Sequence, residues 1–527
     1  MNVWLLLLLS LPGVEPAAEA PDVIVVAADD MLPPLKPWFA HRQAQGHVIG
    51  HLSNSLSPDE LRTSLRRVAQ RGKLKFVVLV GDAVADKNDD AAARARLVPT
   101  ERIEAKVNVL WGSEPEIATD NTYADLDDDS LPDIAIGRLP ADDPAELAQL
   151  VKKIIAYETS GDRGAWRQRI NLIAGVGGFG ALVDNVLEMS TRKFLCDGIP
   201  AAYTTNMTYG SWRSPYCPDP RRFHEATLDR MNEGCLFWVY IGHGQKTYLD
   251  RVQTPERHYH ILAARDAEKC RCETGQPIAI FLACYTGAFD QADDCLAEEF
   301  LRRDQGPVAV FSGSRVTMPY AMAVLGTNMM DEYFHQKRAT LGEVVLHAKR
   351  RLMADEANNP NRVLLDAIAQ AISPRKDMLL EERREHLALF NLLGDPLLTL
   401  EHPEPLELTL PAKATAGDEI EISGIAPLAG ECQVELICRR DQMKQSPVTR
   451  GQFDGDEEVL AKYHDVYTAA NDRCWTSFVA PIQAGEFRTK LTIPPECRGF
   501  CHVRVTIQGQ TKYGLGASNL YVHSAKK

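Results

Sequence analysis

Apolar positions along this chain fall mostly into short unbroken runs that stop at glycine or a polar turn residue. Residues 22–27, 76–80, 134–138, 170–174, 237–241, 277–283 and 308–311 are such runs, rich in Val, Ile and aromatic side chains. Runs of this length and composition read as strands buried on both faces of a sheet, as in parallel or mixed α/β folds. Helical stretches lie between them. Residues 35–45 end at Gly46, and Ser57-Pro58-Asp59-Glu60 supplies an N-cap followed by proline at the first helical position. Asp143-Pro144 opens another helix, and residues 296–303, 322–351 and 363–372 continue the alternation. Beyond Pro403 and Pro405 the texture changes. Residues 406–410, 419–423, 432–438, 490–493 and 502–507 are short alternating runs between turn residues, the pattern of a small β-sandwich. A polar insertion over residues 441–488 interrupts it and carries no readable role. The expected organisation is a leader over 1–20, α/β subdomains over 21–165 and 166–402, and a β-sandwich over 403–527.

Composition narrows the choice of partners. The 527 residues carry a net charge of −14, which argues against nucleic acid as the main partner because no basic stripe offsets it. No internal apolar run is long enough to span a bilayer, so no transmembrane anchor is expected. The leucine block at residues 5–11, followed by Ala18-Glu19-Ala20, has the form of a signal peptide and predicts export. Twelve cysteines fit an exported protein, with Cys432/Cys438 and Cys497/Cys501 as candidates to staple strands near the end.

The candidate chemistry sits at two strand ends. The run 237–241 stops at Gly242-His243-Gly244, and the run 277–283 stops at Cys284, followed by Tyr285-Thr286-Gly287. Ligands of such sheets bind beyond the carboxyl ends of the strands, so the spacing predicts one histidine and one cysteine at the same edge. A thiol becomes a good nucleophile once ionised, which a nearby imidazole assists. Cys284 would attack a carbonyl, His243 would protonate the leaving amine, and the N–H groups of Gly244 and Cys284 would receive the oxyanion. No Cys-x-x-Cys supports redox chemistry, and no glycine-rich phosphate loop follows the first strands.

Residues 120–133 form an acidic loop whose Asp120, Asp125, Asp127, Asp129 and Asp133 can turn oxygens toward one hard cation, with Ca²⁺ the natural candidate. The loop departs from an EF-hand: it lacks the central glycine and the closing glutamate. A solvated acidic turn is the alternative. The glycine run 175–180, followed by a helix carrying Asp184, suits an anion cradle or a tight strand-to-helix turn equally well.

Several ordered blocks make the chain resemble the gingipain family of cysteine peptidases, which have a caspase-like fold, over roughly residues 21–400. They are residues 119–140 (TDNTYADLDDDSLPDIAIGRLP), Gly242-His243-Gly244, Ala283-Cys284 with Gly287, residues 295–300 (CLAEEF), and Leu393-Gly394-Asp395-Pro396. The resemblance implies a caspase-like sheet sandwiched by helices in two subdomains, followed by an immunoglobulin-like domain. It also implies a His243/Cys284 dyad, protein or peptide substrates, and a calcium site of structural use. Asp184 sits roughly where such enzymes read an Arg or Lys at P1. The resemblance places Val176 where family members carry a third, acidic residue that orients the histidine. The readings from other classes are an adhesion or binding protein on an impaired peptidase fold, and a transpeptidase that processes or sorts exported proteins.

Overall fold

The computed structural model describes residues 20–84, 91–175, 198–447 and 450–525. The leader expected over residues 1–20 therefore lies almost wholly outside the described residues. Ten central strands follow in chain order: β1 (Val23–Ala27), β2 (Ile49–Ser53), β3 (Phe76–Val80), β4 (Ala135–Leu139), β5 (Arg169–Ala174), β6 (Thr204–Tyr209), β7 (Phe237–Ile241), β8 (Ile278–Leu282), β9 (Ala309–Gly313) and β10 (Phe390–Leu393). Helices used below are α1 (Leu32–Ala44), α2 (Pro58–Ala69), α3 (Pro144–Thr159), α4 (Phe223–Asn232), α5 (Leu296–Arg302), α6 (Pro319–Phe334), α7 (Leu341–Met353), α8 (Pro360–Ile372), α9 (Leu379–Leu389) and α10 (Glu457–Asn471).

The chain divides into two compact units, and neither follows the boundaries expected from sequence. The first comprises Met1–Thr159, Gly244–Tyr248 and Ala279–Leu400; the second comprises Ser160–His243, Leu249–Ile278 and Glu401–Lys527. The stretch expected to be one subdomain over 166–402 is thus shared between them. The physical reason is strand pairing across long sequence separations, which local periodicity does not encode.

In the first unit the strand order is β2-β1-β3-β4-β10-β9-β8. β1, β2, β3 and β4 pair in parallel, β10 joins β4 in parallel, and β9 runs antiparallel to β10. Every residue of β1 and β3 is buried, each Val or Leu contributing about 1.5–3 kcal/mol by leaving water. Helix α2 closes one face with Leu61 and Leu65, and it starts at a capping box in which Ser57 and Glu60 satisfy each other's backbone N–H.

A buried polar lattice crosses this apolar sheet. Arg138 of β4, fully buried, donates to both carboxylate oxygens of Asp120 at 2.8 and 2.7 Å and to the carbonyls of Gly81 and Val98. Asn121 donates to the Phe390 carbonyl and the Asn391 side chain of β10. Asp395 accepts from Arg42 at 2.6 Å and from the Leu397 N–H at 2.8 Å, and Trp38 also donates to it. Two of the sequence blocks that suggested the family resemblance are therefore structural fasteners.

In the second unit β5 lies between β7 and β6, all parallel. Besides three short strands between Glu404 and Thr415, the C-terminal part has the longer strands β11 (Glu419–Ala426), β12 (Gly430–Cys438), β13 (Cys474–Ile482), β14 (Gly485–Thr492), β15 (Gly499–Gln508) and β16 (Tyr513–His523). β16-β15-β12-β13 form one antiparallel array and β11 pairs antiparallel with β14. Ile420, Ile422 and Leu491 from the second sheet share a core with Val434, Leu436, Val503, Val505 and Leu520 from the first, so the two sheets form a sandwich. The insertion at 441–488 is largely ordered structure, containing α10, β13 and the start of β14. It escaped sequence reading because β13 and β14 alternate half-buried with exposed positions. Helix α10 braces strand β6: Asn471 accepts from the Met207 N–H at 2.8 Å and donates to the Met207 carbonyl at 3.0 Å. Those are bonds a neighbouring strand would otherwise make.

The expected staples are not formed. Cys432 and Cys438 lie along the same strand, and the Cys497 and Cys501 sulfurs sit 3.7 Å apart as thiols.

Candidate active site

The thiol side belongs to the first unit. Strand β8 is wholly buried and ends one residue before Ala283-Cys284. The half-buried Cys284 sulfur accepts the Thr317 N–H at 3.3 Å and lies 3.6 Å from the Thr317 hydroxyl. Residues 284–287 are zipped onto the loop that follows β9: Tyr285 N–H donates to the Arg315 carbonyl at 3.1 Å and Gly287 N–H to the Gly313 carbonyl at 2.9 Å. Tyr285 adopts φ +58°, left-handed backbone that costs energy for a bulky residue and occurs here directly after the thiol.

This loop pair is held from below by charge. Asp290 takes two parallel bonds from Arg315 at 2.8 and 2.7 Å, and Arg102 adds a third at 3.2 Å. Burial pushes the Asp290 carboxyl up, but Arg315 more than offsets this and the net direction is down. Tyr285 Oη donates to Glu114 at 2.8 Å, and Ser113 beside it reaches the Val316 N–H at 3.4 Å. On the other side of Thr317, Met318 N–H donates to His386 Nε2 at 2.9 Å and Ala321 N–H to Glu382 at 3.0 Å. Burial pushes Glu382 up to about 7 and His386 down to about 4, so near neutrality His386 is an uncharged acceptor.

Gly244 also belongs to this unit. A Cβ built on it would stand 2.6 Å from the Cys284 carbonyl oxygen and 2.8 Å from Thr286 Cγ2, so only glycine allows this approach.

The imidazole side belongs to the second unit. Strand β7 is buried and stops at Gly242-His243. The His243 carbonyl accepts two bonds, from Tyr240 Oη at 2.8 Å and from Asp250 N–H at 3.1 Å. Asp250 Oδ1 accepts the Arg251 N–H at 2.7 Å, and the ribbon Arg251–Gln253/His258–His260 follows. Burial raises the Asp250 carboxyl; the Arg251 N–H and the His243 ring both act against that rise.

Asp184 and Val176 lie outside the described residues, as does most of the glycine run after Gly175. Of the five aspartates expected to hold a cation, Asp125, Asp127 and Asp133 bring carboxylate oxygens within 4.8 Å of one another. Asp120 is elsewhere, neutralised by Arg138, because the strand that precedes the loop ends inside the core. Asp129 is turned to the Leu131 N–H. Asp128 and Ser130, both with positive φ, curl the loop. The donor type suits Ca²⁺, while Arg350 on Asp133 and Arg62 and Arg66 on Asp128 already supply positive charge. Sequence reasoning missed Thr317, Arg315, Asp290, Glu114 and Asp250. No spacing marks them, since they reach their places through four separate loops, Arg315 and Thr317 sharing the one after β9.

A mixed sheet with helices, carrying a thiol just after β8 in the first unit and an imidazole just after β7 in the second, fits a caspase-like α/β fold. The chain belongs to peptidase family C25, a family of cysteine-type endopeptidases, whose model matches residues 16–401. Lys-gingipain of Porphyromonas gingivalis is 22% identical over 305 residues, covering 55% of this chain and 15% of that protein's length. The crystal structure of the Arg-specific cysteine proteinase gingipain R superposes with a TM-score of 0.53 at 16% identity, covering 97% of this chain and 100% of that one. The complex of Porphyromonas gingivalis RgpB pro- and mature domains gives 0.51 at 15% identity, covering 95% and 100%. Among the described residues no helix is long and apolar enough to cross a membrane.

Proposed function

We propose that this chain is an exported endopeptidase in which Cys284 and His243 act as a catalytic dyad. Cys284 Sγ attacks the scissile carbonyl, a C–S bond forms, and the N–H groups of Gly244 and Cys284 receive the oxyanion. His243 gives a proton to the leaving amine as the C–N bond breaks. Water then hydrolyses the thioester and restores the thiol; an amine in place of water would give transpeptidation by the same route.

The observation that carries this reading is the seating of Gly244 against the Cys284 carbonyl, because His243 is the residue bonded to Gly244. Family membership supports it. The relatives named for Lys and Arg support a basic P1 preference read by Asp184, and the convergent carboxylates of Asp125, Asp127 and Asp133 support calcium there as a brace for their loop. The signal-like leader supports export, and the two-sheet C-terminal part supports an immunoglobulin-like assignment.

The test is cleavage of a P1-varied peptide library, with calcium and reductant present, by wild type, Cys284→Ala and Asp184→Ala. Wild type is expected to cut after Arg or Lys, Cys284→Ala not to cut at all, and Asp184→Ala to lose the P1 preference. Activity surviving in Cys284→Ala would sink the mechanism. A wild type that cleaves nothing would turn the reading toward a binding protein on a peptidase fold.

A further inference from the structure

A histidine that moves a proton needs its ring held in one orientation and its protonated form stabilised, a task usually given to a buried carboxylate. In the second unit one carboxylate has the required properties. Asp250 Oδ2 is shut away from solvent and takes no hydrogen bond among the described residues. A buried carboxylate oxygen without a donor is costly and uncommon, and it calls for an explanation.

The backbone around it is fixed. Asp250 N–H is tied to the His243 carbonyl at 3.1 Å, and Tyr240 Oη pins the same carbonyl at 2.8 Å. The other carboxylate oxygen is occupied by the Arg251 N–H at 2.7 Å. Asp250 therefore cannot drift from the histidine without breaking the turn. The charged or titratable groups that act on it are His243, Arg251 and His258. Arg251 is exposed at the start of the ribbon, and His258 is exposed on the partner strand. His243 is the group to which its backbone is tied.

We infer that Asp250 is the positioning residue for His243, its free carboxylate oxygen orienting the imidazole and stabilising the imidazolium that forms before the leaving amine is protonated. This rests on the reading of His243 as the acid of a peptidase dyad. It supplies a carboxylate seven positions after the histidine, on the turn that follows it.

The experiment compares full-length wild type, Asp250→Asn and Asp250→Glu. Asparagine keeps an acceptor for the Arg251 N–H, so the turn is expected to fold, which thermal melting checks. In Asp250→Asn kcat is expected to fall about 10- to 100-fold, with KM within about twofold, because the lost interaction matters in the transition state. Asp250→Glu is expected to recover part of kcat. The ¹⁵N shifts of the His243 ring report its tautomer without any substrate, and they are expected to change from one dominant tautomer to a mixture in Asp250→Asn. Unchanged ring shifts together with an unchanged kcat in a folded Asp250→Asn would overturn the inference while leaving the peptidase reading intact. A tautomer shift in a wild type that cleaves nothing would uphold the positioning role and overturn the peptidase reading.

Discussion

The thiol side and the imidazole side of this protein are supported in opposite ways. Around Cys284 the polar groups are tied to one another from several elements: Arg315 and Arg102 on Asp290, Tyr285 on Glu114, Thr317 on the sulfur, and His386 and Glu382 on the segment that follows. Around His243 the described bonds include Tyr240 Oη and Asp250 N–H on its carbonyl and Arg251 N–H on Asp250, and the second carboxylate oxygen of Asp250 is buried with no hydrogen bond among the described residues. A nucleophile that must meet a carbonyl at one angle gains from a rigid seat. A residue that gains and loses a proton needs a neighbour whose interaction changes with its charge, and a saturated network would leave none.

The contrast can be broken most forcefully at Asp290. Arg315 and Asp290 are 4% and 1% exposed at the side chain, so Asp290→Asn leaves a buried guanidinium with only the half-exposed Glu114, 3.7 Å away, as a carboxylate partner. We expect a loss of about 3 kcal/mol, at the low end for broken buried pairs because Arg315 keeps the Ser314 and Glu116 carbonyls. Urea unfolding checks it, and a loss below about 1 kcal/mol would mean that the lattice is ornamental.

A smaller effect is expected at Gly244. In Gly244→Ala the new methyl meets the Cys284 carbonyl and shifts the strand end, lowering kcat about 100-fold with the melting temperature little changed. Turnover within threefold of wild type, on the order of 0.6 kcal/mol, would show the close approach to be dispensable.

The smallest sharpens the electrostatics beside Thr317. Glu382, pushed up to about 7 by burial, holds its proton in the folded state at pH values where the unfolded chain has released it. Its contribution is therefore largest below the unfolded value near 4.5 and is lost as pH rises through 7. Glu382→Gln keeps the acceptor for the Ala321 N–H and removes the titration. It is expected to raise stability by about 1–2 kcal/mol at pH 8 and to change it little at pH 4, read from urea melts at the two pH values. Equal shifts at both would assign the effect to packing.

Much of this was legible in the chain. The strand runs ending at Gly242-His243 and at Cys284 needed only periodicity and turn chemistry, and the ordered blocks named the family. The block around Asp120 and Asn121 was misread in part. Its acidic residues looked alike in sequence, but Asp120 is in the core against Arg138 whereas Asp125, Asp127 and Asp133 gather at the surface. Burial separates them, and burial is not a local property. The bracing helix α10 was hidden for a similar reason, since its use lies in Asn471 reaching the backbone of Met207.

The sequence by itself determined where strands end, which two residues are the candidates for nucleophile and proton chemistry, and which glycine adjoins the histidine. These follow from side-chain alternation, from the pKa ranges of thiol and imidazole, and from the steric freedom of a residue without Cβ. The tertiary structure alone decided that Thr317 faces the sulfur, that Arg315 and Asp290 fasten the thiol loop, and that Asp250 stands by His243. Those neighbours come from loops far apart in the chain or from turns without a signature, and only the pairing of distant strands brings them together.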